Sequence, residues 1–304
     1  MPGKIKLALF MTIFLWASAF VGIRLGLHAY SPGSLALFRY LIASVCMGII
    51  YFSRDRSRRS SMRLLDIGAL LGIGAIGIGI YNLTLNDGEL YISSGMASFI
   101  ISQSPIITAL IAILFLKEPI NLLSVFGFIL SVLGVILIAW GEKGGFKWDE
   151  SIVYMVIATF ASCFYSVLQK PFLNKYHVIE VMTYIIWGGT LFLSVYLFQM
   201  KHDVFYAPIT TTLTVVYLGI FPAALGYLGW SYVLAAIPVS RAVSFFYFMP
   251  FLATVLGWIC LGEVPAELSI FGGLLAILGV WIVNQSYKRR ITHTASALVS
   301  SESS

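Results

Sequence analysis

Long apolar segments alternate with short polar connections along the whole chain. A helix needs about 20 apolar residues to cross the hydrocarbon core of a bilayer. A scan at that length predicts ten transmembrane helices, with approximate bounds 7–28, 33–53, 64–85, 90–115, 121–141, 151–170, 178–199, 211–233, 240–261 and 267–287. The connections leave no room for a soluble domain, so the pattern predicts an all-α integral membrane protein.

Composition and charge agree with this pattern. Of the 304 residues, 59% are hydrophobic and 11% are charged, whereas a soluble domain carries about 25% charged residues. The net charge of +6 comes mostly from residues between the apolar segments. This placement is typical of membrane-flanking charge, so a lipid bilayer is the expected partner and nucleic acid is not.

The reactive residue types do not cluster in the sequence. Cys46, Cys163 and Cys260 fall inside apolar segments and form no C-x-x-C pair, so we predict buried hydrophobes. The four histidines lie at connections or segment ends and do not cluster, so no enzyme active site, metal or cofactor is predicted.

Basic residues indicate the orientation, because short cytoplasmic loops carry an excess of Lys and Arg. Placing the N-terminus inside puts most of the 19 basic residues on the cytoplasmic side, including the connection "RDRSRRSSMR". Both termini are therefore predicted to be cytoplasmic. The Ser-rich segment 291–304 is predicted to be a disordered cytoplasmic tail.

Two stretches of the chain repeat each other. Residues 97–138 align with residues 242–283 at one constant shift, which pairs Pro105 with Pro250, Glu118 with Glu263, Gly127 with Gly272, and Gly134 with Gly279. At the same shift Gly74 falls on Gly219. The chain therefore divides into two copies of a five-span unit, residues 1–145 and 146–290.

The number of spans in each copy decides their relation. Five is odd, so the second copy enters the membrane from the opposite side and the two halves are inverted. Inverted repeats are typical of secondary transporters, in which a site near the midplane opens alternately to each side. The alternative is that duplication built only a stable helix bundle.

The chain resembles the EamA-like branch of the drug/metabolite transporter superfamily over residues 7–287. The resemblance is carried by "FLWASAFVGIRLGL" and "SPGSLALFRYLIAS" in the first unit, by "ALGYLGWSYVLAAIPVSRAVSFFYFMPFLATVLGWICLGEVP" in the second, and by the span ends "LKEP" and "LGEVP". It implies ten helices in a 5+5 inverted repeat and a central cavity drawn mainly from spans 1, 3, 4, 6, 8 and 9. It also implies export of small metabolites, often amino acids, across the bacterial inner membrane.

The resemblance does not name the substrate, because nucleotide-sugar, sugar and vitamin carriers belong to the same superfamily. Neutral or aromatic amino acids are our expectation. An uptake or exchange carrier of the same fold for another metabolite is the alternative. A monomer or weak homodimer is expected.

Polar and aromatic side chains inside apolar spans are costly unless they face a cavity or a partner. On the spans that the resemblance assigns to the cavity, the predicted substrate-binding residues are Trp16, Tyr81, Asn82, Ser98, Gln103, Tyr165, Tyr227, Trp230 and Tyr247. A single serine serves equally well to pack helices. The aromatic residues have a second interpretation as interfacial anchors.

Four further residues are predicted at the mouth or as gating elements: Arg24, Arg39, Pro105 and Pro250. Arg39 either holds a substrate carboxylate in a bidentate pair or serves structure by snorkelling or tying spans together. The structural role is favoured, because span 2 lies away from the expected cavity. The two prolines each remove one backbone hydrogen bond, so they are candidate hinges.

The stretch "GIGAIGIGIY" contains the spacing G-x-G-x-x-G, which can mark a dinucleotide-binding turn. The stretch lies inside an unbroken apolar run and lacks the preceding strand of such a turn. We interpret it as a packing surface in which Gly68 and Gly72 form a small-xxx-small pair and the other glycines let neighbouring helices approach.

Acidic residues are absent from the middle of the predicted spans. Proton-coupled carriers often use such a carboxylate, so the sequence favours facilitated diffusion or exchange. Asp87, Glu89 and Glu180 near the connections remain candidates for titration.

Overall fold

The computed structural model describes residues 1–55, 60–91, 94–101, 103–116, 121–141, 151–261 and 267–302. These residues fold into helices and contain no strand. The helices are α1 (Gly3–Gly26), α2 (Pro32–Phe52), α3 (Leu64–Glu89), α4 (Ser94–Ile101), α5 (Ser104–Leu116), α6 (Leu122–Gly141), α7 (Ser151–Leu168), α8 (Lys170–Lys175), α9 (Val178–Tyr206), α10 (Ile209–Ala236), α11 (Val239–Cys260) and α12 (Glu267–Glu302). Of the residues named above, Glu118 and Glu263 lie outside the described ranges, as do residues 56–59 of the connection "RDRSRRSSMR".

Seven apolar helical segments are long enough to cross a membrane: α1, α2, α3, Val153–Lys175, α9, α10 and α11. Shorter apolar helices cover Leu122–Gly134 and Ile270–Val283. Large hydrophobic side chains are exposed on the outer faces, for example Phe198 and Trp258, as expected for a surface that faces lipid. Cys260 is exposed as well, so its interpretation as a buried hydrophobe is wrong, while Cys163 is buried.

The last helix continues further than the sequence predicts. α12 runs to Glu302, although a disordered tail was expected from residue 291. No glycine or proline occurs in residues 291–302, and these are the residues that most often end a helix.

Two helices contain a π-helical stretch at corresponding places in the two halves of the chain. The stretch covers Ala75–Ile80 in α3 and Gly219–Gly226 in α10. In α10 two side chains of α1 donate to carbonyls of this stretch: Trp16 Nε1 donates to the Pro222 carbonyl at 3.1 Å, and Thr12 Oγ1 donates to the Gly226 carbonyl at 3.3 Å.

Glycines in the middle of α3 and α10 allow backbones to touch. A Cβ atom at Gly74 would lie 2.0 Å from the carbonyl oxygen of Ile185 in α9. At the repeat-equivalent Gly219, it would lie 2.8 Å from the carbonyl oxygen of Arg39 in α2. α3 thus packs on α9, and α10 packs on α2.

The predicted packing pair of Gly68 and Gly72 is wrong. Nothing lies within 4 Å of a Cβ atom at either position. The close contacts come from Gly74 and from Gly77, where the Cβ would lie 2.3 Å from that of Tyr165. The difference is one of helix face: a residue two positions on from Gly72 points about 200° away from it.

α6 and α12 pack side by side through another set of small residues. A Cβ at Gly134 would lie 2.5 Å from the Gly272 carbonyl oxygen, and a Cβ at Gly279 would lie 2.5 Å from that of Gly127. Between these two contacts, Ser131 Oγ donates to the Ala276 carbonyl at 3.1 Å. Positions ascend along α6 as they descend along α12, so the two helices are antiparallel.

Candidate functional site

A central cavity of about 40 Å³ lies between helices of both halves. It is lined by Trp16, Ala19, Phe20 and Ile23 of α1, Arg39 of α2, Gly77, Tyr81 and Leu85 of α3, Ile101 of α4, Ser162, Tyr165 and Ser166 of α7, Tyr227 of α10, and Phe246 and Met249 of α11. The lining is mostly apolar and aromatic. Of these lining residues, only Arg39 carries a charge.

Trp16 organises the aromatic part of the wall. Its ring centroid lies 5.0 Å from that of Tyr227 in an edge-to-face arrangement and 5.7 Å from that of Phe246. Tyr227 continues the cluster to Tyr165 at 5.6 Å. Such pairs contribute roughly 0.5–1.5 kcal/mol each beyond the area they bury, so the wall is held in a defined shape.

Arg39 is held inside the protein. Its side chain is 3% exposed, and its Nη1 donates to Asn82 Oδ1 at 3.2 Å. The guanidinium carbon lies 5.4 Å from the ring centroid of Tyr40. The Nε atom is buried and has no hydrogen-bond partner. This burial does not fit snorkelling to the interface, whereas the hydrogen bond to Asn82 ties α2 to α3, in keeping with the structural role. Span 2 nevertheless contributes to the cavity.

Asn82 lies behind the cavity wall and supports Arg39. Its Nδ2 donates to the Tyr40 hydroxyl at 2.9 Å and to the Ile78 carbonyl at 2.8 Å, while its Oδ1 accepts from Arg39. Asn82 follows cavity-lining Tyr81 by one position, which turns its side chain about 100° towards α2. The prediction that Asn82 contacts substrate does not fit this placement.

Glu89 is a buried carboxylate at the end of α3. It is 2% exposed, and neither of its oxygens has a hydrogen-bond partner. The guanidinium groups of Arg24 and Arg39 act on it electrostatically. Tyr81, Leu85 and Glu89 recur at every fourth position, so they share one helix face, and the first two line the cavity.

Four other predicted substrate-binding residues also lie outside the cavity lining: Ser98, Gln103, Trp230 and Tyr247. Trp230 is fully buried one layer behind the wall, with its ring 4.7 Å from that of Phe246. Tyr247 points the opposite way, and its ring lies 6.5 Å from that of Phe128 in α6. Ser98 is buried in α4, and Gln103 is half-buried between α4 and α5.

The two predicted hinge prolines lie beside helix irregularities. Pro105 is the second residue of α5, directly after α4 ends at Ile101. Pro250 follows the 3-10 turn Ser244–Tyr247 within α11. Proline removes the hydrogen bond to the carbonyl four positions earlier, and the residues at those positions, Ile101 and Phe246, both line the cavity.

One end of the site is held together by contacts between α7–α8 and α10. Ser231 Oγ donates to Gln169 Oε1 at 2.8 Å. Lys170 Nζ donates to the carbonyl of Ile237, just beyond the C-terminus of α10, at 3.1 Å. A cation at a helix C-terminus is favourable because the last carbonyls lack helical partners.

The structure adds lining residues that the sequence interpretation missed. Ser162 and Ser166 form a stripe with Tyr165 and Gln169 at helical spacing, and this stripe was a usable signal. Leu85, Ile101 and Met249 carried no signal, because an apolar side chain facing a cavity looks the same in sequence as one facing lipid.

Comparisons with known proteins agree with a membrane carrier. The chain matches the EamA-like transporter family twice, over residues 4–140 and 150–285. The uncharacterized transporter YdfC of Bacillus subtilis is 37% identical over 288 residues, covering 93% of each chain. The probable terminal-alkyne amino-acid exporter of Streptantibioticus cattleyicolor is 34% identical over 287 residues, covering 93% of this chain and 94% of that protein.

A solved crystal structure shows the same fold. It matches with a TM-score of 0.76 at 17% sequence identity, and the match covers 95% of this chain and 99% of that chain. Together with the family match over both halves, these findings show that the chain belongs to the EamA-like transporter family.

Proposed function

We propose that this membrane transporter is a secondary exporter of small metabolites, in particular neutral or aromatic amino acids, and that the central cavity is the substrate site. The observation that carries the proposal is an aromatic-lined central cavity with one buried cation in its wall. Apolar walls with a few polar groups are typical of ligand sites. The relative from Streptantibioticus cattleyicolor, named as an amino-acid exporter, supports the same class.

The proposed architecture is ten spans in two inverted repeats, residues 1–145 and 146–290. Three observations support it. The family matches each half once. Gly74 of the first half contacts α9 of the second half, and the equivalent Gly219 of the second half contacts α2 of the first. The contact of Gly134 in α6 with Gly272 in α12 is repeated by the equivalent residues, Gly279 and Gly127. This is the pattern of a two-fold axis perpendicular to the helices.

Alternating access is the proposed mechanism. The contacts of Gln169 and Lys170 with α10 hold one end of the cavity closed, and they must break for that end to open. Pro105 and Pro250 are the proposed hinges, because each frees a backbone carbonyl at a cavity-lining position and weakens its helix there.

We propose that both termini face the cytoplasm of a bacterial cell, in the inner membrane. The test is a set of reporter fusions. Alkaline phosphatase joined after Tyr206, between α9 and α10, is expected to be active, since that connection faces outward. The same enzyme at the C-terminus is expected to be inactive, and green fluorescent protein there fluorescent. The reverse pattern would refute the orientation.

Transport is tested with purified protein in liposomes. We expect radiolabelled neutral and aromatic amino acids to move in either direction down their gradients, faster than in empty vesicles. Trp16→Ala is expected to reduce this flux by about tenfold or more, since it removes the central ring of the wall, and tenfold corresponds to about 1.4 kcal/mol. Trp258→Ala is the matched control, because Trp258 is 51% exposed on the outer face.

A broad amino-acid panel without flux above empty vesicles would refute the substrate class. The direction of net transport is tested in cells. Cells that overproduce the protein are expected to resist toxic amino-acid analogues if it exports them. Hypersensitivity would instead show an uptake carrier.

A further inference from the structure

We propose that the cavity recognises its substrate by the carboxylate alone, and that it binds apolar monocarboxylates at least as tightly as the corresponding zwitterionic amino acids. The inference rests on the proposed function in one respect, that the central cavity is the substrate site. It deepens that function by stating which chemical group is recognised and which is not.

Arg39 supplies the site for the carboxylate. The residue is 3% exposed yet lines the cavity, one of its guanidinium donors binds Asn82, and its Nε has no hydrogen-bond partner. Among the ion pairs of the described residues, none includes Arg39. A buried, fixed guanidinium with a free N–H matches the geometry of a carboxylate, which accepts two parallel hydrogen bonds from it.

The described part of the wall offers no charge partner for an ammonium group. The described lining residues include no carboxylate. Glu89 lies one turn beyond Leu85 on the same helix face, and Leu85 lines the cavity where Glu89 does not. An ionised group taken out of water without a partner is strongly unfavourable, so the α-ammonium of an amino acid gains no charge partner here.

The ammonium of an amino acid bound at Arg39 is also repelled by the guanidinium. In an amino acid it sits on the carbon next to the carboxylate, so seating the carboxylate on Arg39 brings two cations close together. Like charges about 4 Å apart repel by roughly 4 kcal/mol at an effective dielectric constant of 20. A cation–π contact with an aromatic face stabilises the ammonium by about 2 kcal/mol, which is less than this repulsion.

The other charged and ionisable groups near Arg39 do not reverse this balance. Arg24 of α1 adds positive charge, and Glu89 of α3 is a buried carboxyl without a hydrogen-bond or ion-pair partner among the described residues. A substrate monoanion brings the negative charge that the two guanidiniums favour, whereas a zwitterion brings no net charge.

The test compares three ligands that share one phenyl ring and differ in charge: 3-phenylpropanoate, L-phenylalanine and 2-phenylethylamine. Binding of each to the purified full chain in detergent is measured by calorimetry. We expect 3-phenylpropanoate to bind at least as tightly as L-phenylalanine. We expect 2-phenylethylamine to bind about tenfold or more weakly, a difference of at least about 1.4 kcal/mol.

Substitutions of Arg39 test whether this residue causes the preference for a carboxylate ligand. Arg39→Gln is expected to weaken 3-phenylpropanoate about tenfold or more while leaving 2-phenylethylamine within about twofold, and Arg39→Lys to retain part of the preference because it keeps the charge. Lys201→Gln, a charge removal at an exposed position of α9, is expected to change neither. If Arg39→Gln does not fold, the three ligands on the wild-type chain still decide the question.

Failure of this inference differs from failure of the proposed function. If L-phenylalanine binds about tenfold more tightly than 3-phenylpropanoate, or if 2-phenylethylamine binds as well as either, carboxylate-only recognition is refuted while amino-acid transport stands. If none of the three binds, carboxylate-only recognition is also refuted, and the amino-acid flux panel then decides the proposed function separately.

Discussion

Replacing Gly74 with alanine is expected to destabilise the protein strongly, and replacing it with valine is expected to prevent folding. The new Cβ would lie 2.0 Å from the Ile185 carbonyl oxygen and 2.8 Å from the Gly189 backbone nitrogen. Both contacts are to backbone, so no side-chain rotation relieves them, and α3 and α9 must separate. Overpacking costs typically about 1–3 kcal/mol and more where nothing yields. The measurement is the apparent unfolding temperature in detergent, together with the yield of monodisperse protein.

Gly72 provides a control in the same helix, two residues away. Nothing lies within 4 Å of a Cβ atom there, and alanine stabilises a helix by roughly 0.5–1 kcal/mol relative to glycine. Gly72→Ala is therefore expected to leave the unfolding temperature unchanged or raise it. Gly219→Ala is expected to destabilise like Gly74→Ala but less, since its nearest backbone contact is 2.8 Å. Equal behaviour of Gly72→Ala and Gly74→Ala would contradict the packing of α3 on α9.

These glycines show what the sequence leaves undetermined. Apolar length and the repeat shift predict where helices occur, because both depend on the chain alone. Which face of a helix meets protein depends on neighbours that are distant in sequence, and in a membrane the opposite face meets lipid of similar polarity. Gly72 and Gly74 therefore look alike in the sequence and differ in the structure.

The same limit governs the candidate site. Trp16, Tyr81, Tyr165 and Tyr227 were predicted and do line the cavity, because large polar aromatics inside spans carry a signal. For Arg39 the sequence favours a structural role, because its span is expected to lie away from the cavity. The contact of Gly219 with the Arg39 carbonyl brings α2 against α10 and makes α2 part of the wall. The close approach at Gly219 of α10 thus affects the environment of Arg39 on α2.

Glu89 was predicted near a connection because apolar periodicity ends at residue 85. The helix continues to Glu89, and the guanidiniums of Arg24 and Arg39 act on the buried carboxyl electrostatically. These groups belong to α1 and α2, so hydropathy along α3 alone does not reveal the environment of Glu89.

Replacing Glu89 with glutamine is expected to leave the unliganded protein at least as stable as the wild type and to tighten binding of a carboxylate ligand. Glu89 is buried without a hydrogen bond or an ion pair among the described residues, and a carboxylate buried in that way costs more than a neutral amide of similar shape. The glutamine does not compete with a ligand carboxylate for the positive potential of Arg24 and Arg39, so we expect affinity for 3-phenylpropanoate to rise by about tenfold, or about 1.4 kcal/mol.

The two effects are measured together as the unfolding temperature of Glu89→Gln with and without 3-phenylpropanoate. The unliganded variant is expected to unfold at the same temperature as the wild type or at a higher one, and the ligand is expected to raise that temperature by more than it does for the wild type. Asp87→Asn removes a carboxylate of the same helix that is half-buried and faces about 200° away, so it should not change the effect of the ligand. A Glu89→Gln protein that unfolds at a lower temperature than the wild type, or one that binds the carboxylate more weakly, would show that the buried carboxyl stabilises the fold and does not oppose the substrate. The buried charges around Arg39 would then serve the fold of α1, α2 and α3 alone.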